Sequence, residues 1–173
     1  MNPSSSLRVQ GGLQNYASDQ PFPTPTAPIL KLVRLVAGDT SLVPEFSQAW
    51  VIQEFQLGDE LTSYGLNREI EDSNNIIYLV CQGRVRLLGF NPKLGREVST
   101  QLLLAGQTFG ADHLFCHQPL AYQAIAASPG YVAQITVSDL EQWLQRLSQL
   151  KNYLRQLTNE RQALIFFKSC SDL

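Results

Sequence analysis

Two overlapping stretches carry the residue types that chemistry would need. Gly106-Gln107-Thr108-Phe109-Gly110-Ala111-Asp112-His113-Leu114 reads as a strand end running through a glycine-hinged turn into a short helix. Gly106 and Gly110 permit backbone angles that other residues resist. Placed before a helix start, such a turn aims unpaired backbone N–H groups outward, a geometry that suits an anion. Asp112-His113-Leu114-Phe115-Cys116-His117 then holds a set of metal donors. His113 and His117 are four apart, so on a helix they share a face and could chelate a cation. Cys116 beside His117 could also be an activated thiol, although packed free cysteines are commoner.

Other chemistry is missing. The chain has no Gly-x-Ser-x-Gly elbow and no Gly-x-x-x-x-Gly-Lys phosphate loop. Acyl transfer and nucleotide hydrolysis are not expected, and no catalytic residue or cofactor is assigned. A cupin-type metal centre needs two histidines one residue apart on a strand and a third later, whereas this chain has only 2 His. No metal site is assigned, and a metal-dependent cupin-type enzyme using His113 and His117 stands as an alternative. With 13 Lys+Arg against 15 Asp+Glu, the net charge of -2 favours neither DNA phosphate nor an anionic membrane. No apolar run approaches the roughly 20 residues that cross a bilayer, and no secretion signal is visible. Cys81, Cys116 and Cys170 are scattered and not in CxxC spacing. They fit reduced thiols in a cytoplasmic protein.

The elements that must position the turn are mostly strands. Residues 1–28 are rich in Ser, Gln, Gly and Pro and predict a flexible extended tail. Residues 29–173 form the folded domain. Ile29, Leu32, Val33, Leu35 and Val36 have helical spacing, with Pro28 in a favourable first-turn position. A short helix around 42–46 follows. Strands are expected from Trp50–Phe55, Leu61–Leu66, Ile76–Val80, Arg84–Phe90, Glu97–Leu104, Tyr122–Ala127 and Tyr131–Val137, with turns at Gln82-Gly83 and Asn91–Gly95. Many short strands separated by tight turns mean a sandwich or jelly roll spanning about 50–137, not a βαβ sheet. Ser138-Asp139-Leu140-Glu141 reads as a capping box opening the terminal helices of 138–168. Leu140, Trp143, Leu144 and Leu147 form one buried stripe. Leu150, Leu154, Leu157 and Leu164 continue with near-heptad spacing through a second helix, long enough to pack on the roll and still offer an interaction face to a partner, although core packing alone is the commoner use of such a stripe. The natural polypeptide is expected to continue past Leu173.

From about Phe55 to Leu144 this order resembles the cyclic nucleotide-binding domain family. Phe55…Gly58-Asp59 looks like its first turn, and Ile77-Tyr78-Leu79-Val80…Gly83-Arg84-Val85-Arg86-Leu87 like its most recognisable strand pair. Leu104…Gly106-Gln107-Thr108-Phe109-Gly110 looks like the start of the phosphate-binding cassette, and Pro119…Ala126-Ala127 like its end. The resemblance implies a mainly β, eight-stranded roll with an N-terminal helix, a short cassette helix and two C-terminal helices. It implies ligand-binding positions at Phe109, Gly110, Ala111, Asp112, Leu120, Ala121 and Tyr122. Two departures follow. Where the family carries an acid for the ribose hydroxyl, this chain has Ala111; where it carries an arginine for the cyclic phosphate, this chain has Leu120. Asp112 is turned by about 100° on a helix and does not substitute for the acid. Losing both groups would cost about 3–6 kcal/mol, or about two to four decades in affinity. The corner is therefore expected to have kept its shape and lost its grip, with no basic side chain from elsewhere in the roll pointing into it.

A second resemblance concerns the flanks. The Pro/Ser-rich tail, the degenerate roll and the end Glu160–Lys168 are similar to the N-terminal regulatory region of cyanobacterial ABC exporters that also carry a peptidase domain. The expected function is a non-catalytic regulatory or sensor module. It binds cyclic nucleotide or another small ligand weakly or not at all. It signals through its terminal helices to a neighbouring domain of a larger polypeptide or to a second copy. A ligand-free interaction scaffold is the other non-enzymatic alternative. Activators of this family append a helix-turn-helix after the last long helix, and only residues 170–173 follow Ser169, so DNA binding is not expected. Nor is direct membrane insertion.

Overall fold

A computed structural model describes residues 27–29, 32, 42–64, 76–116 and 120–170. The expected tail up to residue 26 and the polar connection at 65–75 lie outside the described residues. Residues 27–29 and 32 are helical, and a short helix α1 spans Val43–Gln48. Eight strands follow: β1 (Val51–Phe55), β2 (Glu60–Tyr64), β3 (Ile76–Gln82), β4 (Val85–Asn91), β5 (Arg96–Leu103), β6 (Thr108–Phe109), β7 (Tyr122–Ala126) and β8 (Gly130–Thr136). A 3-10 turn at Asp112–Leu114 lies between β6 and β7. Helices α2 (Val137–Arg146) and α3 (Ser148–Cys170) close the described chain.

The strands form two antiparallel four-stranded sheets, ordered β1-β8-β3-β6 and β2-β7-β4-β5. Successive side chains on a strand point to opposite faces, and β3 uses both. Tyr78 and Val80 enter the core between the sheets, with Phe55, Leu87, Leu103, Phe109 and Tyr122. Ile77 and Leu79 face the helices, with Ile29, Phe46, Trp50, Leu140, Leu150 and Leu154. Burial on both faces explains why Ile76–Val80 is apolar without alternation. The β3–β4 turn is tight: a Cβ on Gly83 (φ 85°) would lie 2.5 Å from the Pro129 carbonyl oxygen. Only glycine fits that positive φ against the neighbouring turn.

The helical end departs from expectation in two ways. Thr136, not Ser138, caps α2. It is the last extended residue (φ -70°, ψ 152°), and its hydroxyl accepts the Asp139 N–H at 3.1 Å and donates to Asp139 Oδ2 at 2.7 Å. The box is therefore Thr136–Asp139, set by where β8 ends. The second departure is the phase of α3. Leu150, Leu154, Thr158 and Arg161 are buried, Ile165 packs against the inter-sheet core, and Leu164 is 39% exposed. At about 100° per residue, Leu157 and Leu164 sit roughly 60° and 80° to one side of Leu154, whereas Arg161 and Ile165 lie within about 20° of it. A straight helix does not follow a 3.5-residue repeat, and the leucine stripe drifts off the contact.

Candidate functional site

The glycine-hinged turn lies at the mouth of the roll, where α3 crosses β4, β5 and the 3-10 turn. Gly106 and Gly110 both have φ 91°, as the turn requires. Gly106 N–H donates to the Val80 carbonyl at 2.8 Å and Val80 N–H to Gln107 at 2.9 Å, so β3 anchors the start of the turn. The Phe109 ring stacks on Tyr78 with centroids 4.7 Å apart, which fixes β6 in the roll. After Gly110 the chain enters Asp112–Leu114, whose closing turn is held by Phe115 and Cys116 N–H groups donating to the Asp112 carbonyl. The helical turn expected after Phe109 is present but lasts three residues.

Of the positions expected to line a ligand, Phe109, Ala111, Asp112 and Tyr122 are buried. Leu120 packs at the edge of the inter-sheet core, and Ala121 is exposed. Tyr122 opens β7 and faces the turn. Its hydroxyl accepts the Gly110 N–H at 2.9 Å and donates to Asp112 Oδ2 at 2.5 Å, a short charge-assisted bond. One of the amides expected to meet an anion is thus held by the protein's own phenol.

The residue that defines the corner is one that sequence reasoning passed over. Arg161, on α3, inserts its guanidinium beside Asp112. Its Nη1 lies 2.9 and 3.1 Å from the two carboxylate oxygens, Nη2 donates to the Thr108 carbonyl at 2.6 Å, and Nε donates to Gln101 Oε1 at 3.1 Å. The side chains of Arg161 and Asp112 are only 5% and 4% exposed. Burial works to lower the basicity of the guanidinium. The charge and hydrogen bonds of Asp112 and Tyr122 outweigh it, so the Arg161 pKa stands above its ordinary value. A basic side chain does enter the corner, and it comes from the terminal helix, not from elsewhere in the roll. Asp112, not expected to substitute for the family's acid, is the partner that holds this arginine. One signal was available: stepping 3 and 4 from Leu147 through Leu150, Leu154 and Leu157 to Leu164 passes through Arg161, the one charged residue in a leucine stripe.

The other candidates separate as follows. Leu150 and Leu154, expected on an interaction face, are buried in the protein's own core, and Leu164 faces outward. The 3-10 turn that holds His113 ends at Leu114, and His117 lies outside the described residues. No cluster of three or more His, Cys, Asp or Glu able to hold a metal occurs among the described residues. The Cys116 pKa is raised by burial and by the Asp112 charge, the opposite of an activated thiol, and its Sγ lies 3.9 Å from Gln162 Oε1. No described helix is long and apolar enough to cross a membrane.

Residues 68–147 match the family model of the cyclic nucleotide-binding domain. The roll has the fold of a cyclic nucleotide-binding domain. A cyclic nucleotide-binding domain from Methylobacillus flagellatus superposes with a TM-score of 0.62 at 21% identity, covering 83% of this chain and 79% of that one. The Thermus thermophilus catabolite activator protein gives 0.61 at 19%, over 82% and 61% of the two chains. The regulatory subunit of a cAMP-independent protein kinase A from Trypanosoma cruzi, bound to guanosine, gives 0.61 at 15%. It matches 78% of this chain, which spans 46% of that protein's length. No curated protein sequence matches the chain. The domain family is typically regulatory and non-catalytic.

Proposed function

We propose that this chain is a non-catalytic regulatory module whose cassette is closed by its own terminal helix. It does not take cyclic AMP or cyclic GMP in the family's manner. The observation that carries this reading is Arg161. Its guanidinium fills the corner where a sugar phosphate would sit, and every acceptor it meets belongs to the protein. Leu120 and Ala111 stand where the family's phosphate and ribose ligands would be. A nucleotide would have to displace a buried ion pair, leaving Asp112 against its own negative charge, which is strongly unfavourable in a low-dielectric site.

Residues 29–173 act as the module and 1–28 as its tail. Because α3 is tied to the turn, the position of the terminal helices and the state of the corner are one variable. A neighbouring domain or a second copy that grips α2 and α3 therefore reads that variable. The exporter suggested by the flanks is one such host. Calorimetric titration of the chain with cyclic AMP, cyclic GMP and guanosine, the ligand in the trypanosomal structure, tests the reading. Silence up to about 1 mM is expected, and micromolar affinity for either cyclic nucleotide contradicts it.

A further inference from the structure

We infer that the cassette corner has inverted its ligand preference and is a receptor for a guanidinium cation, occupied here in cis by Arg161. The inference rests on the closed-cassette reading above and names the chemistry of that same pocket. The groups converging on Arg161 are all acceptors: two carboxylate oxygens of Asp112, the Thr108 carbonyl and Gln101 Oε1. They come from three segments, β5, β6 and the 3-10 turn, so the cradle is built by the roll and only the guest by α3. The Tyr122 ring adds a face with its centroid 5.9 Å from the guanidinium carbon. Its hydroxyl bond to Asp112 keeps that carboxylate turned toward the cation. A planar fork of N–H donors matches this set, whereas an ammonium presents a compact point charge that cannot reach all of it. When α3 lifts away, the same acceptors are left to an arginine of another chain or to a free guanidino compound.

Side-chain deletion with chemical rescue tests this. Arg161→Ala in the full chain is expected to melt below the parent protein. N-ethylguanidinium at about 50 mM should return about 2–4 °C of the loss, and equimolar ethylammonium clearly less. Acetyl-arginine-amide rescuing as well as ethylguanidinium would place a peptide arginine among the guests; rescue by ethylguanidinium alone would restrict the pocket to small guanidino compounds. Either result supports a guanidinium receptor. If Arg161→Ala is unfolded, ethylguanidinium must restore its circular dichroism, and Arg161→Gln gives a second background for the same rescue. Equal rescue by ethylammonium, no rescue in either background, or rescue that survives Asp112→Asn would overturn the inference. Failure here is distinct from failure of the closed-cassette reading. If Arg161→Ala instead gains cyclic AMP affinity while the parent stays silent, the guanidinium receptor falls and the closure stands.

Discussion

The two halves of α3 lie on the same protein and are held by different physics. The first half, through Leu150 and Leu154, joins the helix-side apolar cluster that also holds Ile77, Leu79, Ala133 and Ile135. It needs no particular geometry beyond shape, and each leucine contributes by area removed from water. The second half turns polar residues inward: Thr158 and Arg161 are 1% and 4% exposed. It is tied down by the Arg161 fork, by Lys168 Nζ donating to the Ser99 carbonyl and by Asn91 Nδ2 donating to the Lys168 carbonyl. A buried ion pair contributes little net stability compared with well-packed apolar groups, yet breaking one partner is strongly destabilising. The difference teaches where adhesion and registration are divided. The apolar half holds the helix on, and the polar half decides whether its end is seated in the cassette.

The largest effect is expected from leaving one charge alone. Arg161→Met strands Asp112 in the roll and should lower unfolding free energy by about 4 kcal/mol, measured by urea titration. Amide exchange should show the end of α3 opening first. If the whole domain opens uniformly, the two halves are one cooperative unit and the contrast fails. Leu150→Ala removes area and leaves a cavity in the apolar half, for about 3 kcal/mol. It should do so without raising exchange at Arg161 relative to the rest of α3.

Cys81, packed at the edge of the helix-side core, reports on the apolar half by pH. Burial lifts its thiol from 9.0 to about 11, slightly offset by a backbone hydrogen bond from Ala133. The neutral thiol is favoured in the folded state, so this contribution is complete below pH 9 and is lost as pH rises toward 11. The parent should lose stability over that window, and Cys81→Ala should flatten the decline. Alkylation of Cys81 at pH 8 should stay slow even in Arg161→Met, because the broken latch lies at the other end of the helix. Leu164→Ser, on the exposed face, should change stability by less than about 0.5 kcal/mol. A larger loss would mean that the outward face is packed after all.

Much of the roll was legible because its signals are local. The alternation in β4, the apolar run of β3 and the Gln82-Gly83 and Asn91–Gly95 turns each follow from nearest-neighbour geometry. The corner was legible as a shape, since Gly106 and Gly110 demand it, but not as a chemistry. Its cation arrives from 49 residues downstream of Asp112, and nothing local to the cassette announces it. The α2 cap was misplaced for a related reason: Thr136 serves both as the last residue of β8 and as the cap, a choice made by sheet pairing with Ile76. The leucine stripe of α3 does not mark one face: Leu150 and Leu154 are buried, whereas Leu164 is exposed. At the cassette the inner face is polar.

A double-mutant cycle on Arg161 and Asp112 puts the seated latch to the most direct test. Arg161→Met and Asp112→Leu, made singly, should each cost about 3–5 kcal/mol, and the double variant should recover most of that loss, because two apolar groups replace a fully desolvated pair. Effects that simply add, to within about 0.5 kcal/mol, would contradict it. They would show that Arg161 and Asp112 do not meet in the folded protein.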